Sequence, residues 1–303
     1  MPWELTLSCV SVASKIECLG ELNMNRIRRR LDTTLLVLFV VALFVLIMFP
    51  LMWLVSTSFK EQRFLIDLPP QWIPNPITLE HYANVLFHEM NFFALLKNSL
   101  IVALGTSLLA TVAGSFAAYS FSRYHIVGNE FLLIFLLAGQ MFPSVMMVIP
   151  FYIILGEFKL LDSYLGLIIA NTSLALPFAT FLLKGFFDSL PIDLEEAAMI
   201  DGCNRLQAFY KIALPLTLPG LISTTLMSFV VAWDDYVFAL TLITSEARRT
   251  LPVAIVGSFV GEFAVKWGEM MAASALMSLP IIFIFLFLQK YLIQGITAGA
   301  VKG

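Results

Sequence analysis

Six long apolar stretches without a charged side chain dominate the hydrophobic pattern of the chain. A helix needs about 20 mainly apolar residues to cross the hydrocarbon core of a bilayer. All six are long enough, and we predict membrane-spanning helices at 35–55, 98–122, 131–156, 163–183, 212–233 and 270–289. The fifth is expected to begin one or two turns after residue 212 and to continue to residue 244. The pattern predicts an all-α membrane protein with six transmembrane helices.

The composition excludes an ordinary soluble domain. Hydrophobic residues make up 59% of the chain and charged residues 13%, whereas a soluble domain carries about 25% charged residues. The net charge of −3 is small and does not indicate nucleic acid as a partner. Cys9, Cys18 and Cys203 lie too far apart for a zinc or redox motif, and we expect unpaired thiols.

Basic residues orient the spans. Arg26 and the run 28–30, all arginine, directly precede the first span, and such clusters stay on the cytoplasmic side. An even number of spans then places both termini in the cytoplasm. We divide the chain into an N-terminal extension (1–33), a transmembrane domain (34–294) with a long cytoplasmic connection (190–216), and a C-terminal tail (295–303). Residues 1–23 lack the features of a signal peptide and are expected to be a disordered extension or a misassigned start.

Small residues recur every four positions in the second span, at Thr106, Ala110, Gly114 and Ala118. Small side chains at this spacing let helices approach closely in lipid. The stripe predicts a buried helix, either at the centre of the bundle, at a subunit interface, or simply packed among the other five.

The connection 190–216 has the pattern of two short helices around a turn. Asp193 is expected to cap the first helix together with Glu196. Asp201 and Gly202 form a turn signal, because glycine adopts a positive φ at no steric cost. The second helix is expected at about 204–213, ending before Pro215. The residues alone leave two interpretations open, a docking surface for another protein and an amphipathic loop on the bilayer.

The same connection resembles the EAA loop of binding-protein-dependent ABC importer permeases. The matching residues are Glu196, Ala197, Ala198, then Gly202, and after nine residues Ile212, Leu214 and Pro215. This resemblance implies a type I ABC importer permease fold, in which the loop is the coupling helix that binds the ATP-binding subunit. The residues expected to couple to the ATPase are Glu196, Ala197, Ala198, Asp201, Gly202, Arg205, Ile212, Leu214 and Pro215.

Other segments resemble the carbohydrate-uptake branch of that family, and within it the six-helix permease of maltose-type transporters. They are Gln-Met-Phe-Pro at 140–143, Ala-Tyr-Ser-Phe-Ser-Arg at 118–123 and the C-terminal run 289–303. The arginine common to the family is kept as Arg123, whereas Val127 and Gly128 replace the usual proline and glycine. The resemblance also implies that the tail contacts the ATPase through Ala298, Gly299, Lys302 and Gly303.

The resemblance implies that the chain forms half of the translocation path for a sugar or oligosaccharide. The expected partners are a second homologous permease, two ATP-binding subunits, an extracytoplasmic solute-binding protein and the lipids of a bacterial-type inner membrane. The sequence contains no Gly-x-x-x-x-Gly-Lys-Ser/Thr loop. We therefore expect no enzymatic activity and no cofactor in this chain, with ATP and Mg bound by the partner. A polyol or a glycerol phosphate ester is the alternative solute.

Polar residues within the apolar stretches are the candidates for the translocation path. A carboxylate at membrane depth costs about 2.5–3.5 kcal/mol and should face protein or water. Asp234 and Asp235 are thus expected to line the path or to form a structural pair. Further path candidates are Trp233, Gln140, Asn171 and Thr172. The three histidines form no cluster, and we expect His81, His88 and His125 to be loop or interfacial residues.

Other classes of membrane protein lack support. A secondary transporter would need ionisable residues in several spans and an inverted repeat, and only the aspartate pair is present. A membrane enzyme would need a cluster of His, Asp and Glu, and a scaffold protein would not need the EAA spacing.

Overall fold

The chain is helical over most of its length. The computed structural model describes residues 32–124, 127–261 and 265–300. The α-helices of that part of the chain are α1 (Asp32–Ser58), α2 (Glu80–Ala83), α3 (Phe92–Arg123), α4 (Asn129–Ala138), α5 (Ser144–Glu157), α6 (Tyr164–Ser189), α7 (Asp193–Ile200), α8 (Arg205–Ala208), α9 (Leu214–Leu216), α10 (Leu218–Trp233), α11 (Val237–Leu242), α12 (Leu251–Phe259) and α13 (Trp267–Ala300).

The six predicted spans have counterparts among these helices. Within the described residues, α1, α3, α6 and α13 are each long and apolar enough to cross a membrane. Two bent pairs bring the number to six if each pair is one span. The first pair joins Asn129–Met141 to Ser144–Glu157 at 99°, and the second joins Arg205–Leu216 to Leu218–Trp233 at 78°.

The third predicted span is wrong as one continuous helix. The chain is extended at Phe142, and α5 begins directly after Pro143. Proline has no N–H to donate and disfavours helical geometry at the preceding residue. The break therefore follows from a local sequence signal inside an otherwise apolar run.

The fifth predicted span extends too far. It begins at Leu218, within the predicted one to two turns of its start, but it ends at Trp233. A separate helix, α11, begins at Val237. The carboxylate of Asp235 accepts hydrogen bonds from the backbone N–H groups of Phe238 and Ala239, both at 3.1 Å. It thereby satisfies donors that a new helix start leaves free.

The chain divides into two units, Met1–Ser56 and Thr57–Gly303. In the first unit, none of the most apolar window of α1 is buried. Large apolar side chains such as Leu46 and Phe39 are about two-thirds exposed. A helix that is apolar all round is suited to lipid or to another transmembrane helix.

In the second unit, α3, α6 and α10 pack against one another at the centre. The predicted stripe of small residues in α3 is confirmed as buried, with Thr106, Ala110 and Ala118 fully inaccessible. A Cβ on Gly114 would lie 3.2 Å from the Cβ of Ala179 in α6. Close approach of the two helices therefore depends on a missing side chain.

Hydrogen bonds anchor the loop 243–250 where α3 and α6 begin. The Asn98 amide donates to the carbonyl oxygens of Ala247 and Arg249 at 2.9 and 2.8 Å, and it accepts from the Tyr164 hydroxyl at 2.7 Å. The Asp162 carboxylate accepts from both the backbone and the hydroxyl of Ser245 at 2.9 Å. This loop is therefore held by polar contacts on two sides.

Candidate coupling loop and translocation path

The connection after α6 folds into two short helical pieces around a turn, as predicted. Here it is called the coupling loop, residues 190–216. The turn at Gly202 has a φ of +93°, a conformation that L-residues other than glycine rarely adopt. A Cβ built on Gly202 would meet nothing within 4 Å. The glycine is therefore required by the backbone conformation and leaves the surface of the turn open.

The predicted cap of α7 is wrong. Asp193 is the first residue of the helix, and the N-cap position is Ile192, whose side chain caps nothing. Backbone bonds close this end instead, because the N–H of Glu195 donates to the carbonyl of Ile192 at 2.9 Å. The acidic side chains in the first turn still interact favourably with the helix dipole.

The second helical piece is longer than predicted and contains Pro215. Asn204 caps α8 in a full capping box with Gln207, a local signal that the sequence interpretation missed. A π turn follows at Phe209–Ala213, and α9 carries the helix through Pro215 to Leu216. Pro215 occupies the first turn of α9, where its missing N–H is tolerated.

The surface of the coupling loop is exposed and partly apolar. Glu196, Ala197, Asp201 and Arg205 are exposed, and so is Gly202. Apolar side chains lie beside them, with Ile200 87% and Leu206 59% exposed. Ile212 and Leu214 are half-buried, whereas Ala198 lies inside. An exposed apolar patch surrounded by charged side chains is typical of a protein-binding surface.

Glu195, which the sequence interpretation passed over, is the buried acid of the loop. Its carboxylate accepts from Nε of Arg123 at 2.7 Å and from the Tyr119 hydroxyl at 2.5 Å. The side chains of Arg123 and Glu195 are 7% and 6% exposed. A further Arg123 N–H donates to the carbonyl of Leu190 at 3.2 Å. These contacts connect the end of α3 with the start of the coupling loop.

Two of the predicted path residues lie in contact. The amide of Asn171 in α6 donates to Asp235 at 3.2 Å and to the carbonyl of Leu167 at 3.1 Å. Asp234, in contrast, is exposed. The predicted aspartate pair therefore separates into an anchored residue and an exposed one.

The remaining path candidates are spread over the bundle. Trp233 is 1% exposed and stacks on Phe229 at 5.4 Å between ring centroids. The Gln140 amide donates to the carbonyl of Leu174 at 3.1 Å. Thr172 is buried, and its hydroxyl has no hydrogen-bond partner among the described residues. Among the described residues, the structure thus joins Asn171 to Asp235 by a hydrogen bond. It shows no hydrogen bond from Trp233, Gln140 or Thr172 to another path candidate.

Comparison with known proteins decides the family. Residues 110–298 match the family described as binding-protein-dependent transport system inner membrane component. The chain belongs to this family of ABC importer permeases. Permeases of this family are not the ATPases of their transport systems.

Relatives cover nearly the whole permease. It is 38% identical over 266 residues to the diacetylchitobiose uptake system permease protein DasC of Streptomyces coelicolor, covering 87% of this chain and 95% of that protein. It is 35% identical over 275 residues to the trehalose/maltose transport system permease protein MalG of Thermococcus litoralis, covering 90% and 98%.

A solved structure shows the fold. One chain of a bacterial ABC transporter involved in the import of the acidic polysaccharide alginate matches with a TM-score of 0.72. It is 24% identical and covers 86% of this chain and 96% of that one. The predicted type I ABC importer permease fold is confirmed.

The C-terminal tail of the permease is helical where it is described. The helix α13 runs to Ala300, so the backbone at Ala298 and Gly299 continues that helix. A glycine costs a helix about 1 kcal/mol, which a long established helix tolerates. Lys302 and Gly303 lie outside the described residues.

His81 is buried in the permease, contrary to the prediction of a loop or interfacial residue. It is 2% exposed, its Nε2 lies 2.8 Å from the carbonyl oxygen of Lys60, and its Nδ1 lies 3.2 Å from Glu269. A Cβ on Gly268 would overlap its ring at 2.2 Å. His81 therefore fills a gap that Gly268 leaves at the start of α13.

Proposed function

We propose that this permease forms half of the translocation path for a sugar or oligosaccharide and docks an ATP-hydrolysing subunit on its coupling loop. The observation that carries the proposal is the coupling loop itself. It combines the full EAA spacing with a positive-φ turn at Gly202 and an exposed apolar surface around Ile200 and Leu206. Such a surface would be costly in water and is suited to a partner protein.

The carbohydrate assignment is supported by the relatives. The two proteins named above serve the uptake of diacetylchitobiose and of trehalose or maltose, according to their names. Both align over nearly their full length. We propose a sugar or oligosaccharide as the solute, with a polyol or glycerol phosphate ester as the alternative.

The assembly would contain a second homologous permease, two ATP-binding subunits and an extracytoplasmic solute-binding protein. ATP and Mg would bind to the ATPase subunits, because this sequence lacks their phosphate loop. In this arrangement the coupling loop and both termini lie in the cytoplasm. The C-terminal end, including Ala298, Gly299, Lys302 and Gly303, would contact the ATPase.

For the translocation path we propose Asp234, Asp235 and Trp233, together with Gln140, Asn171 and Thr172. The break between α10 and α11 exposes Asp234, while Asn171 holds Asp235. A carboxylate exposed directly after the end of α10, next to a helix break, is suited to a water-filled path. Replacement of both aspartates by Asn is expected to change the uptake rate without loss of membrane insertion.

Co-purification and transport test the function. The tagged permease is expressed with the other subunits of its transporter, purified, and reconstituted into liposomes with the solute-binding protein. An ATPase should co-purify, and sugar uptake should require internal MgATP. Uptake driven by an ion gradient without ATP would contradict the proposal, and uptake of a polyol or glycerol phosphate ester but no sugar would select the alternative solute.

A further inference from the structure

The C-terminal end of α3 is bound to the coupling loop by buried hydrogen bonds to Glu195. Both oxygens of the Glu195 carboxylate are engaged, one by Nε of Arg123 at 2.7 Å and the other by the Tyr119 hydroxyl at 2.5 Å. Two bonds from two residues of one helix fix the carboxylate in position and in rotation. Because Glu195 is part of α7, the first helix of the coupling loop is tied to α3.

A second contact ties the other half of the loop to the same end of α3. The ring of Phe209, in the π turn after α8, lies 4.7 Å from the ring of Tyr119 and 5.3 Å from that of Phe116, between centroids. Phe187 of α6 packs on Tyr119 at 5.6 Å. Tyr119 therefore belongs to both contacts, with its hydroxyl on α7 and its ring on the second half of the loop.

The buried ion pair between Arg123 and Glu195 is not explained by folding stability alone. Removing two charges from water offsets much of their attraction, and apolar replacements of buried pairs are often neutral or stabilising. What the pair adds over apolar packing is direction, since an N–H and an O–H must point at given oxygens. A joint of this kind resists sliding and rotation between α3 and α7.

We propose that Arg123, Glu195 and Tyr119 form the joint that transmits movement of the coupling loop to the centre of the helix bundle. The proposal rests on the function proposed above and adds positioning residues to it. The helix α3 packs on α6 and on α10, so a displacement carried into α3 reaches both central neighbours. Force from an ATPase bound at the exposed surface would pass from α7 into α3 by way of Glu195.

Adjacent glutamates would then have different roles. Glu196, the acid of the EAA pattern, is exposed and available to a partner, whereas Glu195 faces inward to Arg123. Loss of Glu196 should impair binding of the ATPase. Loss of Glu195 should leave binding intact and impair the transmission of movement.

The test is the ratio of sugar uptake to ATP hydrolysis in the reconstituted transporter. Glu195→Gln and Arg123→Gln are expected to lower this ratio by about 2- to 30-fold, the range that mutations along a coupling route produce. The amount of co-purified ATPase should stay at the wild-type level. Tyr119→Phe, which removes one hydrogen bond, should lower the ratio less.

A matched control is the ion pair between Lys184 and Asp188, 2.7 Å apart within α6. It lies near the same end of the bundle but connects residues of one helix. The variant with Lys184→Gln and Asp188→Asn should keep the wild-type ratio. The exchanged pair, Arg123→Glu with Glu195→Arg, should recover part of the coupling lost in the single variants.

An unchanged ratio in Glu195→Gln and Arg123→Gln would overturn the proposal, whether uptake and hydrolysis both stay normal or both fall together. If the single variants fail to accumulate in the membrane, Tyr119→Phe and the exchanged pair decide by the same ratio. Failure of the wild-type permease to bind any ATPase would instead reject the function proposed above.

Discussion

Two neighbouring glutamates of the coupling loop differ in burial because they lie on different faces of α7. Glu195 and Glu196 are chemically identical, yet one is buried against Arg123 and the other is exposed. Glu195 shares its face of α7 with Ala198, three residues on, which is also buried. Glu196 lies on the face of Ile200, which is 87% exposed.

At the exposed face, Gly202→Asp and Glu196→Lys are each expected to abolish uptake while the permease still inserts. A side chain at the φ of +93° strains the turn by about 1–2 kcal/mol, and the added carboxylate lies where a partner would bind. Uptake, ATPase activity and a pull-down of the ATPase measure the effect. Gly185→Ala is the control, since a Cβ there also meets nothing within 4 Å and no positive φ is required. Normal uptake in both test variants would show that this surface of the coupling loop is not needed to bind the ATPase.

The hydrogen bonds to the Asp162 carboxylate predict that the stability of the permease depends on pH. Hydrogen bonds from the backbone and hydroxyl of Ser245, then from the amide of Thr244, together with the charge of Arg248, hold the pKa of Asp162 below its usual range. A depressed pKa in the folded state means that the carboxylate contributes stability above its unfolded pKa, about 3.9. This contribution is lost as the pH falls through the folded pKa.

Asp162→Asn should therefore lower the thermal midpoint of the detergent-solubilised permease at pH 7. The difference from the wild type should shrink below about pH 4. Thermal unfolding at both pH values checks the expectation. Glu246→Gln, at an exposed residue of the same loop, is the control. A difference that stays constant across this range would exclude the carboxylate as its source.

At the scale of elements, prolines and side-chain caps divide the apolar stretches. The sequence located α1, α3, α6 and α13, because their apolar runs are uninterrupted, but it predicted these helices 5 to 14 residues too short. It located the third and fifth apolar stretches but predicted each as one continuous helix, and so missed the break at Pro143 and the new helix after Asp235. Counting apolar residues does not reveal that Pro143 lacks an N–H, or that the Asp235 carboxylate accepts hydrogen bonds from the first turn of a new helix.

Asp235→Ala is expected to destabilise the start of α11. It removes the acceptor of two backbone N–H groups and of the Asn171 amide, and loss of a cap costs about 0.5–2 kcal/mol. The thermal midpoint of the purified permease measures the loss. Asp234→Ala, at the exposed neighbour, should change stability by less than about 0.5 kcal/mol. Equal losses in the two variants would show that the hydrogen bonds of Asp235 do not hold this helix.

At the scale of the whole molecule, large apolar side chains lie on the surface of the permease, and the interior of the second unit combines apolar clusters with buried polar residues. In the second unit, the central helices α3, α6 and α10 pack through small residues. Polar contacts lie at both ends of α3, at Asn98 on one side and at Arg123 on the other. The bundle is therefore tied to the loop 243–250 at one end and to the coupling loop at the other.

Cysteine labelling tests the topology proposed for this arrangement. In a permease with Cys9, Cys18 and Cys203 replaced by serine, Asp67→Cys and Glu246→Cys should react with an impermeant reagent added to intact cells. Asn204→Cys should react only after the membrane is opened. All three residues are exposed, so accessibility within the chain does not limit the reaction. The reverse labelling pattern would contradict cytoplasmic termini.

The sequence by itself determined that this is an all-α membrane protein, and it predicted the apolar spans, the buried face of α3 and the turn at Gly202. These features follow from periodicity and from the chemistry of a few consecutive residues. The tertiary structure alone decided that Glu195 pairs with Arg123 and that Asp235 contacts Asn171. These partners lie 72 and 64 residues apart in the chain. Which of two adjacent carboxylates meets a distant partner depends on how the helices pack, and no local pattern records that packing.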